Sequence, residues 1–212
     1  MLHSLHALNN DILLRAFKDH VAEVREQAVE LSASKLAEDS TLKEATVLAS
    51  KDSNERVRFE SALALGSLSD PKIPGILAQL AIRDGDDRWM RAAIFSGIGG
   101  RMGLFFTAIQ QQKSTISNDK AYSLVMEDMG KMFGNGASVS ECGEFLRAIL
   151  QSLEDKNNGW CIAASLGMAN GLTSRPGFNS TGNSFIKCIR SVSSGSTHNP
   201  KVFINEVIKT AK

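Results

Sequence analysis

Three arginines at equal intervals, Arg25, Arg58 and Arg91, are the residues whose type and spacing first point to chemistry. Each follows a short polar turn that carries acids: Asp19 in "KDHVA", Asp52 in "KDSNE", and Asp86 with Asp87 in "RDGDD". Guanidiniums repeated at one spacing have two uses. They form a positive stripe that grips phosphates or an acidic partner, or they pair with the turn carboxylates of their own or an adjacent unit through the planar fork. The second use accounts for both the arginines and the acids. It predicts a structural ladder of Arg25, Arg58 and Arg91 with Asp19, Asp52 and Asp86.

Other reactive side chains are sparse. His3 and His6 stand at i, i+3, a spacing that suits a metal on one helical turn, but no third ligand lies near them. His20 falls in a turn and His198 in a loop before Pro200, and both read as solvated. No Ser, Cys or carboxylate occupies a nucleophile setting beside the four histidines, so no triad is predicted. Cys142, Cys161 and Cys188 are odd in number, widely spaced and without a C-x-x-C pair, and read as small buried hydrophobes. "GIGGRMG" (97–103) has the glycines of a phosphate loop but follows a helical pattern, not a strand, so it reads as a helix end and a tight turn. Trp89 and Trp160 stand near helix starts and read as core, with anchoring of an interface as the other use. "NST" at 179–181 is a formal glycosylation sequon of little weight. No catalytic, cofactor-binding or metal-binding residue is predicted, and no cofactor.

The elements that carry the arginines repeat with them. "AEVREQAVELSAS" (22–34), "NERVRFESALALGSL" (54–68) and "RWMRAAIFSGIGG" (88–100) align at 33-residue spacing. Val24-Arg25, Val57-Arg58 and Met90-Arg91 share two columns, Ala28, Ser61 and Ile94 another, and Gly66 and Gly99 a fourth. Leu14, Val47 and Leu80 keep the same interval upstream, as do Ala16, Ala49 and Ile82. Each unit reads as two helices joined by the acidic turn. In the third unit Asp70-Pro71 is expected to cap the first helix, whose Ile73, Ile76, Leu77, Leu80 and Ala81 form one buried face. Asp52 is expected to be the N-cap of the following helix with Glu55 as its N3 partner. That helix has two apolar stripes, Val57, Ser61, Ala64 and Leu65 on one side and Phe59, Leu63 and Gly66 on the other. A lone hairpin covers only one stripe, whereas a stack of hairpins covers both. Gly66 and Gly99 mark close backbone approach or helix ends.

Past residue 100 the period blurs but helices continue, at about 101–112, 119–134, after the capping box "SVSE" (138–141), and along the small-residue stripe of Trp160, Ala163, Ala164, Gly167, Met168 and Gly171. Further helices are expected near 184–192 and 200–211. No segment alternates like a strand. The predicted fold is all-α, an α-α superhelix of about six helical hairpins.

Composition narrows the function classes. The chain has 212 residues, 42% of them hydrophobic, and a formal net charge of +1. This suits a folded body and gives no overall attraction for nucleic acid. The charge is uneven: six Lys/Arg against one acid over residues 173–212 leave the regular repeats neutral to acidic. No run of about 18 apolar residues and no export signal is found, so no direct membrane insertion is expected.

The columns resemble the HEAT repeat, whose second helix carries a Val-Arg pair after an Asp-containing turn, as "DSNERVRFESALALGSLSD" (52–70) does. A longer stretch, "RVRFESALALGSLSDPKIPGILAQLAIRDGDDRWMRAAIFSGI", is similar to the HEAT segment of planctomycete-type multidomain proteins, the membrane-bound (sorbosone-type) dehydrogenases with a cytochrome c domain. The resemblance implies a single HEAT/armadillo-like domain over 1–212. Its regular repeats fall at about 9–36, 39–68 and 70–100, and degenerate ones at about 101–134, 137–172 and 182–212. "LHSLHAL" (2–8) resembles the closing helix of a preceding unit, so the domain is expected to be a middle piece of a larger protein. The implied role is a non-catalytic scaffold for protein or interdomain contacts, periplasmic or extracytoplasmic if it shares that family's compartment. Its partner is expected to be protein, not nucleic acid. The dehydrogenase and electron-transfer chemistry would belong to other domains. A HEAT-like DNA glycosylase and a bilin-lyase-like protein are the alternative roles.

Overall fold

The computed structural model describes residues 9–112, 119–137, 139–152 and 159–174. The predicted helices near 184–192 and 200–211, His3, His6, His198, Cys188 and Ser138 of the capping box lie outside them. The fold is all-α, and no strand occurs among the described residues. The chain divides into two compact units between Asn118 and Asp119, inside the repeat predicted at 101–134.

In the first unit the helices are α1 (Asn10–Ala16), α2 (Ala22–Ser32), α3 (Ser40–Ala49), α4 (Glu55–Gly66), α5 (Ile73–Asp84), α6 (Arg88–Ile98) and α7 (Met102–Gln111). Each hairpin packs internally, α1 on α2, α3 on α4 and α5 on α6. Like helices pack on like: α2 on α4 and α4 on α6 form one layer, α1 with α3 and α5 with α7 the other. This is an α-α superhelical stack, and its core is continuous because every hairpin closes its neighbour. Leu13, Val29, Leu42, Val57, Leu65, Leu77, Ile94 and Phe105 are all at most 1% exposed. The buried hydroxyls of Ser32, Thr46 and Ser61 donate to the carbonyls of Ala28, Leu42 and Val57 one turn back, which satisfies them without a cross-chain partner.

The helix starts correct two expectations. Asn54, not Asp52, caps α4, accepting from the Arg56 N–H at 2.9 Å. Asp52 stands one step earlier and accepts from the Asn54 N–H at 2.8 Å, an Asx turn that orients the capping residue. Likewise α5 opens at Ile73, with Pro74 in its first turn, and Asp70 accepts from the Lys72 N–H in the preceding turn and does not cap the helix. Asn9, Asp39 and Asp87 cap α1, α3 and α6.

Helix α4 is covered on two sides, the first along the stripe expected and the second along a different one. Val57, Ser61, Ala64 and Leu65 are buried, and the second covered line runs through Arg58, Ala62 and Gly66. Phe59 is half-buried and Leu63 is 40% exposed, because the layer of α2, α4 and α6 keeps one face open to solvent. Close backbone approach does occur at Gly66, against Gly97 and not Gly99. A methyl built on Gly66 would lie 2.7 Å from the Gly97 Cα. Gly99 instead breaks the chain direction with φ of +49°. Residues 88–111 are long and apolar enough in sum to cross a membrane, yet this break and the 3-10 turn Gly99–Arg101 divide them into α6 and α7, which pack on α4 and α5.

The second unit contains α8 (Asp119–Gly136), α9 (Val139–Ser152) and α10 (Gly159–Ser174). Helices α8 and α10 interlock through two glycine pairs spaced at i, i+4. Methyls on Gly130 and Gly134 would sit 2.8 Å from the amide nitrogens of Met168 and Leu172; on Gly167 and Gly171 they would meet the carbonyl carbons of Glu127 and Lys131 at 2.7 and 2.9 Å. Phe133 stacks on Phe145 with ring centres 4.4 Å apart, and Tyr122 meets Trp160 edge to face at 5.8 Å.

Candidate functional site: the arginine rungs and the open face of the stack

The recurring arginines sit on the first turn of α2, α4 and α6, where the acidic turns bring carbonyls and carboxylates to them. Arg25 makes a two-pronged pair with Asp52, Nε to Oδ2 and Nη2 to Oδ1 both at 2.7 Å, while Nη1 donates to the Asp19 and His20 carbonyls at 2.9 and 3.3 Å. Arg58 repeats this one unit on. Its Nε and Nη2 hold Asp84 at 2.7 and 2.6 Å, and Nη1 donates to the Asp52 and Ser53 carbonyls at 2.9 Å. Arg91 donates through Nη1 to the Gly85 and Asp86 carbonyls at 2.8 and 3.3 Å. Each arginine therefore closes its own turn at the carbonyls five and six residues back. Arg25 and Arg58 also reach forward to the acid of the next turn.

The carboxylate of the third turn comes from Asp84, not Asp86. Asp19 and Asp52 stand six residues before their arginines and Asp84 seven, because their 33-residue column falls on Gly85 in the third turn. Asp86 is exposed and contributes only its carbonyl. The Asp19 carboxylate accepts from the Val21 N–H at 2.8 Å and lies beside the His20 ring, so Asp19 meets Arg25 through its backbone.

These rungs are largely out of solvent. The Arg58 and Asp84 side chains are 7% and 15% exposed, and those of Arg25 and Asp52 15% and 13%. The Arg25 guanidinium, helped by the Asn54 N–H, holds the Asp52 carboxyl below its ordinary range against the opposing effect of burial. Asp84 in turn raises Arg58 above its usual value. The guanidiniums are thus committed within the fold, and they do not form a free positive stripe.

Two polar features give no periodic signal in the sequence. Asn10 donates to Asp39 and accepts from Lys35 at 3.1 Å, and Lys43 pairs with Asp70 at 3.2 Å, tying together the starts of α1, α3 and α5 at the far ends of the hairpins. Arg101, just past α6, donates to the Leu68 and Gly66 carbonyls at 2.6 and 3.1 Å and to the Gly97 carbonyl. One guanidinium thereby satisfies the open carbonyl ends of both α4 and α6. A lone basic residue at a helix C-terminus is the only sequence mark it leaves.

The tryptophans separate. Trp160 is buried in the core of the second unit at 3% exposure, in line with its reading as core and not as an interface anchor. Trp89 is 62% exposed, which corrects its reading as core, with the Arg88 guanidinium 4.6 Å from its ring centre. It shares the open face of α2, α4 and α6 with Leu63 and with Glu26, whose carboxylate holds Arg56 across the α2 and α4 boundary at 3.1 Å. Burial, together with Glu30 and Glu26, raises the Glu60 carboxyl above its ordinary value. Among the described residues no cluster of His, Cys, Asp or Glu is arranged to hold a metal.

Residues 10–99 match the family described as HEAT repeats. That segment spans α1 through α6, the three hairpins that carry the arginines. No curated protein and no solved structure is similar enough to count as a match.

Proposed function

We propose that the chain is a non-catalytic helical scaffold that holds a protein partner, or neighbouring domains of its own polypeptide, on the open face of α2, α4 and α6. HEAT repeats generally serve as protein-interaction scaffolds, and the match over residues 10–99 supports that role here. The observation that carries the reading is the division of labour between buried and open residues. Arg25 and Arg58 are consumed in rungs between hairpins and Arg91 closes its own turn, while Trp89 stands in solvent and Leu63 and Val24 are partly exposed on the same layer. Large exposed aromatics beside arginine are the side chains that dominate protein interfaces. Carboxylates on the same face repel phosphates, which disfavours the glycosylase alternative.

The resemblance to dehydrogenase and cytochrome proteins makes catalytic and electron-transfer domains of a parent polypeptide the first candidates for what the scaffold positions. In-cell crosslinking of the chain in its native host, with mass spectrometry of the joined peptides, tests the reading. Crosslinks to other proteins or domains that concentrate on α2, α4 and α6 support it. An absence of protein crosslinks, or turnover of a substrate by the isolated chain, would remove it.

A further inference from the structure

Helices α2, α4 and α6 start 33 residues apart, so equivalent positions fall at the same register on each helix of the layer. The first row is Glu23, Arg56 and Trp89, the next Glu26, Phe59 and Ala92, and the third Glu30, Leu63 and Ser96. Along each row the chemistry changes in one direction. The α2 edge is a column of carboxylates, α4 contributes half-buried Phe59 and exposed Leu63, and α6 contributes exposed Trp89 above the small side chains Ala92 and Ser96. Glu60 lies between the acidic and apolar strips, close enough to Glu30 and Glu26 for their charges to act on it. Four carboxylates therefore share the face with two guanidiniums, Arg56 and Arg88, of which Arg56 is already bound to Glu26 and Arg88 covers the Trp89 ring.

We propose that this face receives a basic amphipathic helical segment of a partner protein, a proposal that rests on the scaffold reading above and specifies its partner. The segment lays its apolar residues along Phe59, Leu63 and Trp89, and its Lys or Arg residues meet the α2 edge and Glu60. Charge complementarity selects this occupant. Glu26 already meets Arg56 and Glu30 accepts from the Gln27 amide at 2.7 Å, which leaves the face with more negative than positive charge; an acidic segment would add like charge to it, and a purely apolar one would desolvate these carboxylates with no cation to offset the cost. Ala92 and Ser96 are small and exposed on the same helix as the tryptophan, so they offer little steric opposition to a helix laid along anchors that set its register.

The test uses the full chain and a fluorescein-labelled synthetic peptide of about 18 residues with lysine on one helical face and leucine and phenylalanine on the other. Its counterpart carries glutamate in place of every lysine. Fluorescence anisotropy gives Kd for the wild type, Trp89→Ser, Leu63→Ser, Glu30→Lys and the control Leu48→Ser, which alters a 70% exposed side chain on α3 in the other layer. The four positions are exposed, and circular dichroism checks that each variant remains folded. The basic peptide should bind the wild type at least about tenfold more tightly than the acidic one, with the preference weakening in about 0.5 M salt. Trp89→Ser and Glu30→Lys should each raise Kd by about tenfold, and Leu48→Ser should leave it unchanged. Equal binding of the two peptides, or a Kd that Trp89→Ser leaves within about twofold, overturns the proposal. So does a dimer in sedimentation that Trp89→Ser dissolves, since the occupant is then a second copy of the chain. If the Trp89→Ser, Glu30→Lys double variant keeps every crosslink of the wild type, the basic-helix occupant falls and the scaffold reading stands. If the wild type yields neither peptide binding nor crosslinks, both fall.

Discussion

Replacing Arg58 by alanine tests whether the rungs are structural. The substitution removes four hydrogen bonds, two to the Asp84 carboxylate and two to the carbonyls of the Asp52-Ser53 turn. The stranded carboxylate is 15% exposed, so water reaches it only in part. Breaking a buried ion pair from one side costs about 3–5 kcal/mol, and the residual exposure of Asp84 places this case at the lower end, about 3 kcal/mol. For a chain of this size each kcal/mol moves Tm by about 2–4 °C, giving a fall of about 6–12 °C. Arg56→Ala is the internal comparison. It removes an arginine two residues away whose pair with Glu26 is 3.1 Å long but whose side chain is 67% exposed, and it should cost no more than about 0.5 kcal/mol. Urea unfolding followed by circular dichroism measures both, and a double-mutant cycle with Asp84→Ala should return a coupling of about 1–3 kcal/mol. If Arg58→Ala and Arg56→Ala lose the same stability within error, or the cycle shows no coupling, the rungs do not hold the stack together.

In the second unit Gly167→Ala should destabilise by about 1–2 kcal/mol despite the better helix propensity of alanine, because its methyl would press on the Glu127 backbone; Gly143→Ala on α9, where the nearest contact is an ordinary 3.8 Å from Arg147, should instead stabilise by up to about 1 kcal/mol. Chemical denaturation of the two variants checks the opposite signs. Arg101→Met should lower stability by about 1–3 kcal/mol by leaving carbonyls of α4 and α6 unpaired, and hydrogen exchange should quicken at the ends of those two helices before the rest of the layer. The acids respond to pH with opposite signs. Asp52 has a folded pKa below its unfolded value, so its contribution is present above about pH 4 and is lost as pH falls through the folded value. Glu60 has a raised folded pKa, so its contribution is present at low pH and is lost as pH rises through that value. Glu60→Gln should therefore raise Tm slightly at pH 7, by less than about 1 kcal/mol equivalent, and show no gain at pH 4. Thermal melts at the two pH values decide it.

The regular hairpins were legible because their signal is periodic: a 33-residue interval fixes α2, α4 and α6 and puts Arg25, Arg58 and Arg91 in one column. What escaped was not periodic. The 33-residue column of Asp19 and Asp52 falls on Gly85 in the third turn, and the carboxylate that meets Arg58 comes from the residue before it, Asp84, and not from the expected Asp86. The caps shifted for a related reason. Asp52-Ser53-Asn54 offers three side chains able to accept from a helix start, and sequence alone does not rank them, whereas in the structure the guanidinium of Arg25 holds Asp52 and Asn54 caps. Arg101 acts on carbonyls more than thirty residues away, and no local pattern announces a contact of that range. The open face is poorly legible: the sequence reads Trp89 first as core and Leu63 as part of a covered stripe, yet both are exposed, because periodicity counts apolar residues without saying which side the next hairpin takes.

The contact between Gly66 and Gly97 sets one junction of the layer apart from the other. Helices α4 and α6 meet through bare backbone where they end, and the Arg58–Asp84 rung lies where they begin. One period earlier the same two positions are Ala33 and Ala64, so that bare-backbone contact has no counterpart between α2 and α4, which Arg25 with Asp52 and Glu26 with Arg56 join instead. Two like junctions of one layer are thus closed by different chemistry.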